Sequence, residues 1–419
     1  MYWLYRIGLA AFFAASLPVF LFQAILRGKY RRALRERLGA VPAWAGAAAP
    51  LWVHAVSVGE VMAAIPLVRR IEGRWPALPI LISTVTDTGR GVGQQRLPGK
   101  PFVFFPLDFG WAVRRALDRI RPRAVLLTET ELWPIFIRAC GQRGIPVIAV
   151  NGRISPRSYP RYRRVRFWFG RVLQGVRLFC MQTPEDAARI RDLGAPAERV
   201  QVVGNLKFDL AGDEDPAEGA RVRAMLGLAP DRPVLVAGST HKGEEALVLE
   251  AYRRARSPVP DLALVLAPRH PERLEEVAGL LRDAGLSWIR RSQAPAPEGC
   301  AAILVDTMGE LGRLYAAGTV VYVGGSLVPI GGHNVLEPAA HGRPVLFGPH
   351  MGNFAEMARL FREQGAGLEV QDSSSLATAA VRLLCDPAEA RRMGEAGRRI
   401  VATHRGAAER TVALLEAVL

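Results

Sequence analysis
The sequence predicts an α/β protein of two Rossmann-like, doubly wound parallel-sheet domains behind an N-terminal membrane-anchor helix. Three observations carry this. Short apolar runs alternate with amphipathic stretches, which is the rhythm of strands joined by helical crossovers. The series occurs twice, on either side of an acidic, Gly- and Pro-containing stretch, LAGDEDPAEG (210–219). At 419 residues the chain exceeds what one core ordinarily organises. The boundaries are drawn at 1–27 for the anchor, 28–210 for the first domain and 211–419 for the second.

The anchor rests on residues 8–26, GLAAFFAASLPVFLFQAIL, a charge-free run of 19. That length just crosses a bilayer as a helix. Arg27, Lys29, Arg31, Arg32, Arg35 and Arg37 follow it, against Arg6 before it. The excess of positive charge places everything downstream on the cytoplasmic side of the inner membrane. A helix lying in the interface is the alternative.

In the first domain, LWVHAV (51–56), PILIST (79–84), FVFFPL (102–107), AVLLTE (124–129) and PVIAVN (146–151) read as strands. VMAAIPLVRRI (61–71), AVRRALDRI (112–120) and LWPIFIRACGQRG (132–144) read as the helices between them. In the second, the strands are PVLVAG (233–238), LALVLAP (262–268), AAILVD (301–306), TVVYVGG (319–325) and RPVLFG (343–348). In such folds ligands bind at the carboxyl ends of the strands, so the loops there hold the candidate residues.

Ser57, Gly59 and Glu60 of SVGE follow the first strand and open a helix, where small residues let amides approach an anion. AGSTHKGEE (237–245) repeats the design with Ser239 and Thr240, and doubles as a helix cap with Glu244 nearby. Arg269 and His270 follow the next strand. The densest constellation is residues 323–354. There Gly324-Gly325 and Gly331-Gly332 can bring backbone close to phosphate, and His333 and Asn334 lead into a helix near Val335. Glu337, one turn on, suits ribose hydroxyls. Together these describe a nucleotide site.

The formal charge of +16 favours anionic partners. Residues 151–171 carry seven arginines among Tyr159, Tyr162, Phe167, Trp168 and Phe169. With an anchor present, lipid phosphates and acyl chains suit that segment better than nucleic acid does. No GxGxxG follows a strand and no P-loop occurs, which argues against a dehydrogenase or a P-loop NTPase. Asp213-Glu214-Asp215 mimics a DxD metal motif without strand context and reads as solvated surface. Cys140, Cys180, Cys300 and Cys385 lie far apart with no metal-ligand spacing, as reduced packing residues would.

SVGE (57–60), ETELWP (129–134), LKFD (206–209), STHKGEE (239–245), PRHPER (268–273), DTMGEL (306–311) and VGGSLVPIGGHNVLEPAAHGRPVLFGPH (323–350) occur in this order along the chain. In this the chain resembles the bacterial 3-deoxy-D-manno-octulosonic acid (Kdo) transferases, glycosyltransferases of GT-B architecture. The resemblance implies inverting transfer of Kdo from CMP-Kdo to a lipid A precursor, without a metal or other cofactor. It matches Glu36, in RERLG, to the family's proposed general base. It matches Ser239, Thr240, Arg269, His270, Met308, Gly309, Asn334 and Glu337 to the CMP-contacting motifs. Glu129, Glu131 and Lys207 are further candidates, with Gly325, Gly332 and His333. NGRIS, GNLKFD and GGHNVLE stand where some relatives carry NARLS, GSLKFD and GGHNPLE. Two rival functions remain open: a UDP-sugar epimerase of the same fold, and a non-catalytic receptor for anionic lipid.

Overall fold
The computed structural model describes residues 3, 5, 7–9, 31–211, 215 and 217–419, excluding the side chains of 31–33. It divides into two units, residues 1–210 with 405–419, and residues 211–404. Most of the apolar run 8–26 lies outside the described residues, as do Asp213 and Glu214. Among the described residues no helix is long and apolar enough to cross a membrane.

The first unit holds a seven-stranded parallel sheet in the order β3-β2-β1-β4-β5-β6-β7. Its strands are β1 (Leu51–His54), β2 (Ile80–Thr84), β3 (Phe102–Phe104), β4 (Ala124–Thr128), β5 (Val147–Gly152), β6 (Leu178–Met181) and β7 (Val200–Val202). Residues alternate between the two faces: Trp52, Val125 and Leu127 enter one apolar cluster, and Leu51, Val53 and Leu126 the other. Helices cover both faces, so the strands are apolar throughout rather than alternating with polar residues.

The second sheet is also parallel and seven-stranded, in the order β10-β11-β9-β8-β12-β13-β14. Here β8 is Val234–Thr240, β9 Ala263–Pro268, β10 Trp288–Arg290, β11 Ala302–Leu304, β12 Val320–Val323, β13 Val345–Phe347 and β14 Gly367–Glu369. Neither β10 nor β14, three-residue edge strands that are mostly half-buried, stands out in the sequence, because neither is a buried apolar run.

The sequence extends the second domain to residue 419, but the final helix Ala407–Leu415 packs in the first unit. Ala407, Ala408, Val412 and Leu415 join the cluster containing Leu51, Val53, Ile65 and Val68. Asp209 accepts from the N–H groups of Gly406 and Ala408, each at 2.6 Å, and so caps that helix. Apolar matching and a charged cap outweigh sequence position.

Candidate functional sites
Each sheet has a switch point near its centre, between β1 and β4 and between β8 and β12. Adjacent loops part at such a point and leave a crevice at the strand ends. Both candidate sites lie there.

In the first unit Ser57 is the N-cap of the helix Val58–Arg74, and Glu60 sits in its first turn. Glu60 Oε2 accepts from Val56 N at 2.9 Å and Thr128 Oγ1 at 2.8 Å, and Oε1 accepts from Ser57 Oγ at 3.2 Å. The ends of β1 and β4 are thereby tied through one carboxylate. Glu129 follows β4 with φ +52°, a left-handed conformation that turns the chain sharply. Burial, with the charges of Glu60 and Glu129 close by, pushes the Glu131 carboxyl up to about 7. Asp108 holds the next segment by accepting from Ile135 N (3.0 Å) and Phe136 N (2.7 Å), at the start of the helix Pro134–Gly141. Three carboxylates thus gather at one switch point. Burial, reinforced by such crowding, raises a carboxyl into the range useful for proton transfer near neutrality.

Glu36 is placed differently. It is 3 % exposed, and its Oε2 accepts from Phe104 N at 2.8 Å and Arg90 Nη1 at 3.2 Å. Arg37 and Arg90 lie over the Phe104 ring at 5.0 and 4.9 Å, closing the arrangement. A carboxylate so placed braces the end of β3. Lys207 lies in the short helix Leu206–Leu210, whose backbone is held by Asn151 Oδ1 on Leu206 N and Asn205 Oδ1 on Lys207 N.

In the second unit, Ser239 ends β8 at φ +56°. The backbones of β8 and β9 continue together, with Arg269 N donating to Thr240 O at 2.9 Å, so Arg269 and His270 stand beside Ser239 and Thr240. The Thr240 hydroxyl is buried without a hydrogen-bond partner among the described residues. Tyr315 is fully buried, and burial with the nearby Glu337 charge raises its phenol while Ser239 hydrogen-bonds it. Asn334 Nδ2 donates to Glu337 Oε1 at 3.2 Å, and Asn334 Oδ1 accepts from Leu336 N at 3.0 Å, fixing the start of the helix Leu336–Ala340. Glu337 also lies beside Gly312, and Met308 is exposed next to Gly309, which has φ +83°. Ser239, Thr240, Arg269, His270, Asn334 and Glu337 therefore lie around one switch point.

The sequence did not single out His241. Its Nε2 lies 2.8 Å from His333 Nε2, and the rings stack at 5.1 Å with 8° between planes. One nitrogen must donate and the other accept. Burial, then the neighbouring His241, Arg269 and His270, pushes His333 down to about 3, so this ring is neutral at physiological pH.

The turn after β12 departs from expectation. The amides of Gly325, Ser326 and Leu327 do form an anion-binding concavity, but they point at the carboxylate of Glu244. This stretch of backbone is therefore not free to cradle a phosphate. Gly332 N donates to Gly325 O at 2.7 Å, and a Cβ at Gly332 would overlap Met351 Sδ, so glycine is required there.

The family model for 3-deoxy-D-manno-octulosonic-acid transferase (kdotransferase) matches residues 32–210. A 3-deoxy-D-manno-octulosonic acid transferase of Haemophilus influenzae is 37% identical over 93% of this chain and 92% of its own length. One from Bordetella pertussis is 40% identical over 88% of this chain and 87% of its own. A solved structure of a putative UDP-N-acetylglucosamine 2-epimerase from Listeria monocytogenes has a TM-score of 0.55 at 15% identity, covering 88% of this chain and 96% of that one. That likeness concerns the fold alone. Identity sustained along both units goes further: the chain belongs to the 3-deoxy-D-manno-octulosonic acid transferase family.

Proposed function
We propose that this protein transfers Kdo from CMP-Kdo to a lipid A precursor at the cytoplasmic face of the inner membrane. The observation that carries the reading is the β8/β12 switch point. There Asn334 orients Glu337, Tyr315 lies between Glu337 and Ser239, and Arg269 pairs with Thr240, an arrangement suited to ribose and phosphate. Glu337 accepts from ribose hydroxyls, and Arg269 with His270 offsets charge on the departing cytidylate.

The acceptor hydroxyl loses its proton to a carboxylate as its oxygen bonds to the anomeric carbon. The bond from that carbon to the phosphate oxygen breaks, and its electron pair leaves with CMP. The pair Glu60 and Glu131 suits the proton's reception better than Glu36, because Glu131 is partly exposed and near neutrality. Glu36 then acts by holding β3.

Membrane contact is supported by the helices Tyr159–Arg164 and Arg166–Leu173, arginine-rich and bearing Phe167 at 73 % exposure. The Tyr5 ring lies 5.7 Å from that of Trp168, on the second of these helices. An anionic bilayer complements that charge.

Purified protein with CMP-Kdo and a tetraacyl lipid A precursor is expected to release CMP and give a Kdo-bearing lipid by mass spectrometry. CMP release at the same rate without acceptor refutes the transferase reading. Thermal stabilisation by UDP and not by CMP favours an epimerase instead.

A further inference from the structure
One buried carboxylate organises the turns of the donor site. Glu244, at the start of the helix Glu244–Arg256, is 0 % exposed. Its Oε2 accepts from His241 N at 2.9 Å and Gly325 N at 2.6 Å. Its Oε1 accepts from Ser326 N and Leu327 N, each at 2.9 Å, and from the Tyr322 hydroxyl at 2.7 Å. Capping its own helix would occupy one of these donors. The other four come from β12 and the turn after it.

Three consecutive amides converging on one point form a nest of the kind that elsewhere surrounds a phosphate. Here the protein fills the nest with its own anion, and the consequence reaches the histidines. The Gly325 backbone is the floor beneath the imidazole pair: a Cβ built there would lie 2.9 Å from His333 Cδ2 and 3.3 Å from His241 Cδ2. Glu244 grips the Gly325 N–H, and Gly325 O accepts from Gly332 N, the residue before His333. It also grips the N–H of His241 itself. Both rings are thus referred to a single carboxylate.

We infer that Glu244 is the positioning residue of the donor site, an internal anion whose charge locks the turn after β12 to the turn after β8. It thereby holds His241 and His333 in place for the nucleotide. The inference rests on the donor-site reading above. Removing the charge leaves five donors facing an empty pocket, and the turn relaxes. A displacement of about 1 Å at a site of this kind costs up to roughly a hundredfold.

The test is CMP affinity of the full chain by calorimetry. Glu244→Ala is expected to weaken CMP binding at least about tenfold. Formate or acetate, entering the vacated nest, is expected to restore most of the loss, whereas acetamide, of similar shape but neutral, is not. Tyr322→Phe, which removes one donor and leaves the charge, is expected to stay within about threefold of wild type.

The inference is overturned if folded Glu244→Ala binds CMP like wild type, or if acetamide rescues as well as acetate. Should Glu244→Ala fail to fold, Glu244→Asp keeps the charge but withdraws it by one methylene, and is expected to show an intermediate loss. Wild-type affinity in Glu244→Asp likewise overturns the inference. If wild-type protein itself does not bind CMP, it is the donor-site reading that fails.

Discussion

Replacing Glu131 by Gln is expected to stabilise the protein while disabling it. The carboxyl titrates near 7 in the folded chain against an ordinary 4.5, first because it is buried and then because Glu60 and Glu129 repel its charge. Between those two pH values the folded state holds a proton that the unfolded state has released. Stability therefore falls as pH rises through this window, by up to roughly 3 kcal/mol, and the loss is complete above about pH 7. Glutamine is neutral throughout and escapes it. For a folding unit of this size the gain at pH 8 corresponds to a rise in Tm of up to roughly 10 °C, and to little at pH 4.5. The same substitution removes a proton acceptor, so kcat is expected to fall by about 10²–10⁴. Thermal unfolding at pH 4.5 and 8, with transferase assays on the same preparations, reads both effects. The reasoning is refuted if Glu131→Gln is less stable than wild type at pH 8 with an unchanged pH dependence, or if it transfers Kdo at the wild-type rate.

Removing one neighbouring charge, as in Glu129→Gln, is expected to move the acid limb of kcat/KM below its wild-type position near pH 7; an unmoved limb assigns it to another group. Glu36→Gln should lower stability by about 1–3 kcal/mol, since Phe104 N and Arg90 lose a charged acceptor. The folded variant should keep kcat within about tenfold of wild type, and a loss as deep as that of Glu131→Gln would restore Glu36 as the base. Gly324→Ala is expected to weaken CMP binding, because the added Cβ would stand 2.6 Å from Ser239 O and force β8 and β12 apart; calorimetry checks it. His333, held near 3 by burial, should show no imidazole titration by NMR between pH 5 and 8.

Several of these expectations turn on features that no local pattern displays. ETELWP was legible as a strand end bearing two glutamates, yet only the pairing of β1 with β4 brings Glu60 beside them. RERLG drew Glu36 forward through family resemblance. The fold then encloses that carboxylate between Phe104 N and Arg90, 68 and 54 residues away in sequence. The glycine pairs at 324–325 and 331–332 announced a tight turn correctly. What fills the turn was hidden, because Glu244 arrives from 81 residues earlier.

Two parallel sheets and the family are legible along the chain alone, because period, turn residues and motif order are properties of neighbours. Tertiary structure decided which carboxylates are accessible, which are braces, and where the last helix belongs. Those depend on burial and on charges meeting across strands, and both arise only when residues far apart in sequence are packed together.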